Sequence, residues 1–173
     1  LNSCARMERP GLGVAICMGD RGESLNEVQG VYAEYRASIA KYMNWLSQTP
    51  EKVQELKSIY VVRGEGVIAE KMISAVASIA AGSGFFPADK PVIVVGMASD
   101  GAAKVSARAR RSQVDAGLNL GLVLGEASGE LSGRGGGHDV AAGAQVPASR
   151  IEDLIVQIDR RVGEALAKRV DKG

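Results

Sequence analysis

The spacing of apolar side chains divides the chain into a helical opening and an alternating remainder. Residues 12–19 (Leu-Gly-Val-Ala-Ile-Cys-Met-Gly) form a short apolar run that predicts one buried helical piece. Ser24-Leu-Asn-Glu27 then reads as a capping box, in which a serine accepts from the N3 amide and a glutamate reaches back. Beyond it, apolar residues recur at Val28, Tyr32, Tyr35, Ile39, Tyr42 and Leu46, the 3–4 spacing of one stripe on a long helix. Trp45 lies beside the stripe. An aromatic stripe can stack bases, but this helical spacing points to packing. Thr49-Pro50 restarts the chain as a short second helix, with threonine as cap and proline at the first helical position.

The period then changes. Ser58–Arg63 is β-branched and bounded by Gly64-Glu-Gly66, which predicts a strand, and the alanine-rich 67–81 predicts a helix. Gly82-Ser-Gly84 and Pro87 interrupt before a nearly continuous apolar run, Pro91–Met97, as in a strand covered on both faces. Ser99-Asp-Gly101 predicts a hairpin turn into an antiparallel strand over 102–109. A helix around 117–129, a glycine-rich loop at 133–137 and a strand near Val140–Val146 follow. Ser149-Arg-Ile-Glu152, a second capping box, opens a terminal helix with Ile151, Leu154, Ile155, Ile158, Val162 and Leu166 on one face and Lys168 and Arg169 at its far end. The expectation is an α/β fold: residues 1–57 form a helical connector and 58–173 a mixed-sheet domain.

Composition adds exclusions. The 173 residues are 46% hydrophobic and 24% charged, ordinary for a globular chain, and no apolar run approaches the roughly 18 residues of a membrane span. Formal charge is +1, so any anion site must be local. Cys4 and Cys17 form no CxxC motif and no dense framework, which predicts free thiols and a cytoplasmic setting. With His138 the only histidine, too few soft ligands exist for an all-protein zinc site.

Two constellations carry candidate chemistry. Along Lys104-Val-Ser-Ala-Arg-Ala-Arg110, alternation sends Val105, Ala107 and Ala109 to the core and sets Lys104, Ser106, Arg108 and Arg110 in a row on the other face. Arginine forks grip phosphate oxygens with two parallel bonds. The alternative is a solvated face whose charges pair with nearby glutamates. The second constellation is Gly133-Arg-Gly-Gly-Gly-His-Asp139, followed by Val140-Ala-Ala-Gly143. Without Cβ atoms, Gly135, Gly136 and Gly137 can turn sharply and present amides to an anion as a nest, with Arg134 and His138 adding charge and a donor. The alternative there is a flexible loop with an incidental histidine. Neither a Walker A ending nor GxGxxG is present.

Gly135-Gly-Gly-His138 followed by Ala141-Ala-Gly143 resembles the signature of the DHH-associated domain, the C-terminal half of DHH-family phosphoesterases. Lys104-Val-Ser-Ala-Arg108 resembles that domain's serine-x-arginine strand, and Leu1-Asn-Ser-Cys-Ala-Arg6 resembles the segment leading out of the DHH domain in RecJ-like nucleases, with Ala5 where glycine is usual. Asp139 and the helix from Ser24 look most like the archaeal RecJ-like branch of single-strand-specific exonucleases. The resemblance implies phosphodiester hydrolysis by a pair of Mn2+ or Mg2+ ions held in the N-terminal domain through an Asp-His-His motif. This chain begins at Leu1 and has one histidine, so the expectation is a C-terminal segment without the metal-bearing domain, inactive by itself. By the same resemblance, Ser106 and Arg108 bind phosphate, the Gly135–Gly137 amides with His138 clamp a nucleotide or terminal phosphate, and Arg6 reaches the interdomain cleft. The implied partners are single-stranded DNA or RNA or an oligonucleotide, the missing DHH domain, and replication or repair proteins; no membrane is implied. The competing readings are a non-hydrolytic module like that ending alanyl-tRNA synthetases, an oligonucleotide or cyclic-dinucleotide phosphodiesterase of the same superfamily, and a replication-complex interaction module.

Overall fold

The computed structural model describes residues 1–167, so Lys168 and Arg169 lie outside the described residues. It divides into two compact units, Leu1–Gln48 and the chain from Thr49 onward.

The first unit is helical. Helices α1 (Asn2–Arg6) and α2 (Pro10–Cys17) pack on α3, a single helix over Glu23–Gln48. The 3–4 spacing therefore identified one long helix, but three details differ from expectation. Helix α2 is not a buried piece: Gly13 is its only buried residue, and Val14 is 57% exposed. Ser24 lies inside α3 rather than at its cap, and its hydroxyl donates to Asp20 Oδ2 at 2.6 Å while Asp20 Oδ1 accepts from the Gly22 amide. The serine hydroxyl is thus committed to a carboxylate ahead of the helix, and the predicted capping box is not what opens it. On the stripe, Leu46 is buried and Val28, Tyr35, Ile39 and Tyr42 are half-buried, but Tyr32 is exposed, with the Arg36 guanidinium 5.8 Å from its ring centre.

The second unit is built on a six-stranded sheet of order β1-β2-β3-β4-β6-β5. Thr49-Pro50 opens only a 3-10 turn, Pro50–Lys52, which runs into β1 (Val53–Glu55), an edge strand antiparallel to β2 (Tyr60–Arg63). The sequence reading had placed these residues in the connector. Strand β1 is three residues long with two exposed positions, too short for a clear alternation. After a 3-10 turn at Glu70–Met72, helix α4 (Ile73–Gly82) crosses over to β3 (Val92–Met97), which is parallel to β2. The turn predicted at Ser99-Asp-Gly101 forms, with the Gly101 amide donating to the Ala98 carbonyl, and β4 (Ala103–Arg108) returns antiparallel. A short helix α5 (Arg111–Asp115), not anticipated, precedes α6 (Leu120–Gly129).

The glycine-rich 133–137 segment is not a loop. Arg134–Gly137 is strand β5, antiparallel to β6 (Ala141–Val146). The turn cues in its composition hid a strand whose lack of side chains lets it seat against a helix. A 3-10 turn, Ala148–Arg150, contains Ser149 without a side-chain cap, so the second capping box also does not form; α7 (Ile151–Ala167) follows.

Two layers flank the sheet. Ile59, Val61, Ile93, Val95, Val105 and Ala107 point to one face, where α6 and the predicted stripe of α7 (Leu154, Ile155, Ile158, Val162) close the core. Helix α4 packs on β3 and β4. No described helix is long and apolar enough to cross a membrane. Cys4 and Cys17 are free thiols, one buried and one exposed.

Candidate phosphate-binding face

The sheet register assembles the two constellations on one face. Ser106 pairs with Gly143, which pairs with Gly136; Lys104 pairs with Gln145, which pairs with Arg134. Arg108 pairs with Ala141, whose carbonyl accepts from the His138 amide at 2.8 Å. Adjacent strands lie about 4.8 Å apart, so Ser106 and Gly136 stand roughly 10 Å from each other across a floor of glycine. An added Cβ on Gly136 would meet nothing within 4 Å, so the floor is open at that position, while at Gly143 it would lie 3.2 Å from the Val105 carbonyl oxygen.

Ser106 and Arg108 act as a unit. Ser106 is 6% exposed, and its hydroxyl oxygen accepts from Arg108 Nη1 at 3.0 Å. The same nitrogen donates to the Ala107 carbonyl at 2.7 Å, while Nε donates to Ser78 Oγ at 2.9 Å and Nη2 to the Ser74 carbonyl at 3.3 Å. Both Ser74 and Ser78 belong to α4, so this helix fixes the guanidinium at the rim of the glycine floor.

The other cations are placed differently. Lys104 follows the solvated-face alternative: its ammonium pairs with Glu70 at 3.0 Å. That bond, with the Ser99 amide donating to Glu70 Oε2 at 2.8 Å, holds the Glu70 carboxyl below its usual range. Arg110 leaves the strand and leads into α5, its Nη2 reaching the Phe86 carbonyl at 3.4 Å. Arg134 is exposed on β5, with Nη2 3.3 Å from Gln145 Oε1. Arg6 ends α1 in the first unit and is not among the residues held by the sheet.

The glycine-histidine segment is held as a hairpin. The His138–Ala141 bond sets the antiparallel alternation, which turns the Gly135 and Gly137 amides away from β6, to the side of β5 that carries no paired strand. The amides of Leu120 and Gly121, in the first turn of α6, donate to the Asp139 and His138 carbonyls at 3.0 Å each. Asp139 Oδ1 accepts from the Val140 amide, and its other oxygen lies 3.6 Å from Arg111. His138 itself is exposed. The sequence reading missed Ser74 and Ser78, whose role depends on the α4 crossover and has no local signal. Among the described residues, no three histidine, cysteine, aspartate or glutamate side chains come together as a metal site.

Comparison with known proteins agrees with this architecture. The DHHA1 domain model matches residues 57–164. MJ0831, an uncharacterized protein of Methanocaldococcus jannaschii, is 33% identical over 97% of this chain, which spans only 35% of that protein's length. In structure, the chain is similar to RecJ from Thermus thermophilus, solved with Mn2+: TM-score 0.69, 19% identity, covering 94% of this chain and 23% of the other. It is also similar to the pGpG-specific phosphodiesterase PggH from Vibrio cholerae: TM-score 0.54, 12% identity, covering 95% of this chain and 57% of the other.

Proposed function

This chain belongs to the DHHA1-domain family, and on that basis we propose that it is the substrate-holding part of a RecJ-like phosphoesterase acting on single-stranded nucleic acid or oligonucleotides. The observation that carries the reading is the register that sets the Ser106–Arg108 pair and the Gly136–His138 hairpin on one open face. In it, Arg108 donates to a phosphate oxygen and Ser106 orients the guanidinium. The outward amides of Gly135 and Gly137, with His138, receive a neighbouring or terminal phosphate. Both steps hold substrate and neither breaks a bond.

Among the described residues no donor set fits the Mn2+ or Mg2+ of the wider superfamily, and the role proposed for this chain is confined to holding substrate. Such ions activate water and steady the leaving oxygen.

The test is a salt titration of binding between the whole 173-residue chain and a labelled single-stranded oligonucleotide. Arg108→Ala should weaken binding to every sequence and lower the slope of log K against log salt by about one. Arg160→Ala is the charge-matched control; Arg160 lies on α7, which covers the opposite face, and pairs with Glu164. Equal losses in the two variants would mean a diffuse basic surface and would refute the site.

A further inference from the structure

Three described aromatic residues belong to the second unit, and two of them are buried: Tyr60 is 5% and Phe86 4% exposed. Phe85 is 38% exposed. Its ring is held rather than loose. Phe86 meets it edge-on at 5.0 Å, and Phe86 in turn stacks on Tyr60 at 5.2 Å. The Tyr60 hydroxyl donates to Asp89 Oδ1 at 3.1 Å, and the Lys90 ammonium lies over the Tyr60 ring, 5.2 Å from its centre. The segment carrying Phe85 is anchored from outside as well. Arg110 donates to the Phe86 carbonyl, and the buried Gln113 donates to the Ala88 carbonyl at 3.1 Å.

The position of this cluster matters more than its rigidity. Tyr60 pairs with Val92, Val92 with Arg108, and Arg108 with Ala141, so the aromatic cluster and the Arg108–His138 end of the glycine floor share one register row. Arg110 bridges them by continuing from the strand that carries Arg108 to the backbone beside Phe85. A part-exposed ring held by packing, on a segment hydrogen-bonded to Arg110, is an arrangement by which single strands are bound without sequence preference, because every base offers a π-face. Holding the ring in place beforehand also reduces the ordering cost of binding.

We propose that Phe85 is a base-stacking platform that receives the nucleobase attached to the phosphate held near Arg108 and Arg110. The assignment rests on the nucleic-acid reading above and extends it: the ligand must carry a base on this side of the arginine, so a bare phosphate or phosphosugar chain uses only half of the site.

The experiment compares the whole chain with its Phe85→Ala, Phe85→Trp and Arg108→Ala variants, using fluorescence anisotropy on a labelled oligodeoxyadenylate and on an abasic oligonucleotide of equal length. Phe85→Ala should lose about tenfold in affinity for the oligodeoxyadenylate, the size expected for one stacked base, and leave the salt slope unchanged. It should bind the abasic strand like the unmodified chain, and Phe85→Trp should keep or improve binding to the base-bearing strand. If Arg108→Ala weakens binding and Phe85→Ala does not, the platform is refuted while the phosphate site stands. Equal losses by Phe85→Ala on both strands would make Phe85 a structural residue and also refute the platform. If the unmodified chain binds neither strand, the nucleic-acid reading fails and the platform with it.

Discussion

Strand β5 seats on α6 through a seam of glycines, and that seam makes a sign prediction within one helix. Gly121 and Gly125 are one turn apart on α6. An added Cβ at Gly121 would lie 2.4 Å from the Gly137 carbonyl oxygen and 2.9 Å from its carbon, both backbone atoms that no rotamer change can move. At Gly125 the nearest atom is the Gly135 oxygen at 3.6 Å, an ordinary contact. Replacing glycine by alanine in a helix normally stabilises by about 0.5–1 kcal/mol. Gly125→Ala should show that gain. Gly121→Ala must instead push β5 away from the helix or shift the turn that receives the Gly121 amide, an overpacking cost of about 1–3 kcal/mol. The difference between the two variants is therefore roughly 1.5–4 kcal/mol.

Urea unfolding followed by circular dichroism measures both variants under one condition, and a chain of this size shifts its Tm by about 2–4 °C per kcal/mol. Gly135→Ala probes the seam from the strand side, since its Cβ would lie 2.6 Å from Ser128 Oγ and 2.7 Å from the Leu124 carbonyl oxygen; it should resemble Gly121→Ala. If Gly121→Ala is as stable as Gly125→Ala, β5 is not seated as described, and the placement of His138 falls with it.

Three further outcomes are expected. Ser106→Ala removes the hydroxyl that accepts from Arg108 Nη1 and should cost about 1 kcal/mol in urea while weakening oligonucleotide binding; unchanged binding would show that Ser106 does not orient the guanidinium. The Glu70 carboxyl is lowered chiefly by Lys104 and then by the Ser99 amide, so its contribution is present above the usual glutamate range and fades as pH falls through its depressed value. Glu70→Gln should flatten the loss of stability below about pH 5, and an unaltered acid limb would refute this assignment. Highly purified chain incubated with Mn2+ and a single-stranded oligonucleotide should release no nucleotides, and chelator-sensitive release would overturn the proposed substrate-holding role.

What the sequence disclosed follows from how local each signal is. The period of α3, the β-branched run at β2, the apolar run at β3 and the stripe of α7 are patterns within one element, and each reappears in the structure. The predicted caps did not form because a cap depends on which of several nearby polar groups wins. The Ser24 hydroxyl is taken by Asp20, and no side-chain cap formed at the 3-10 turn holding Ser149. Strand β1 offered three residues and no alternation, and its identity comes from pairing with β2. For the candidate face, the row Lys104-Ser106-Arg108 was legible from alternation alone, while its division of labour was not. Glu70 claims Lys104, and α4 brings Ser74 and Ser78 to Arg108, from about thirty residues away in sequence.

The glycine run shows why composition misled on structure. Three adjacent glycines favour no regular element in isolation, since each gives up more backbone freedom on ordering than any other residue. Tertiary contacts decide the matter here. Side chains at 135 and 137 would collide with α6 or β6, and a side chain at 121 would collide with β5, so glycine on both sides of the seam allows a backbone-to-backbone approach. That approach leaves the opposite face of β5 bare, with open space above Gly136 and the Ser106–Arg108 pair two strands away. The absence of side chains thus serves both faces of one strand. It permits close packing against the helix below, and it leaves the face above free of side chains at Gly136, where the proposed phosphate site lies.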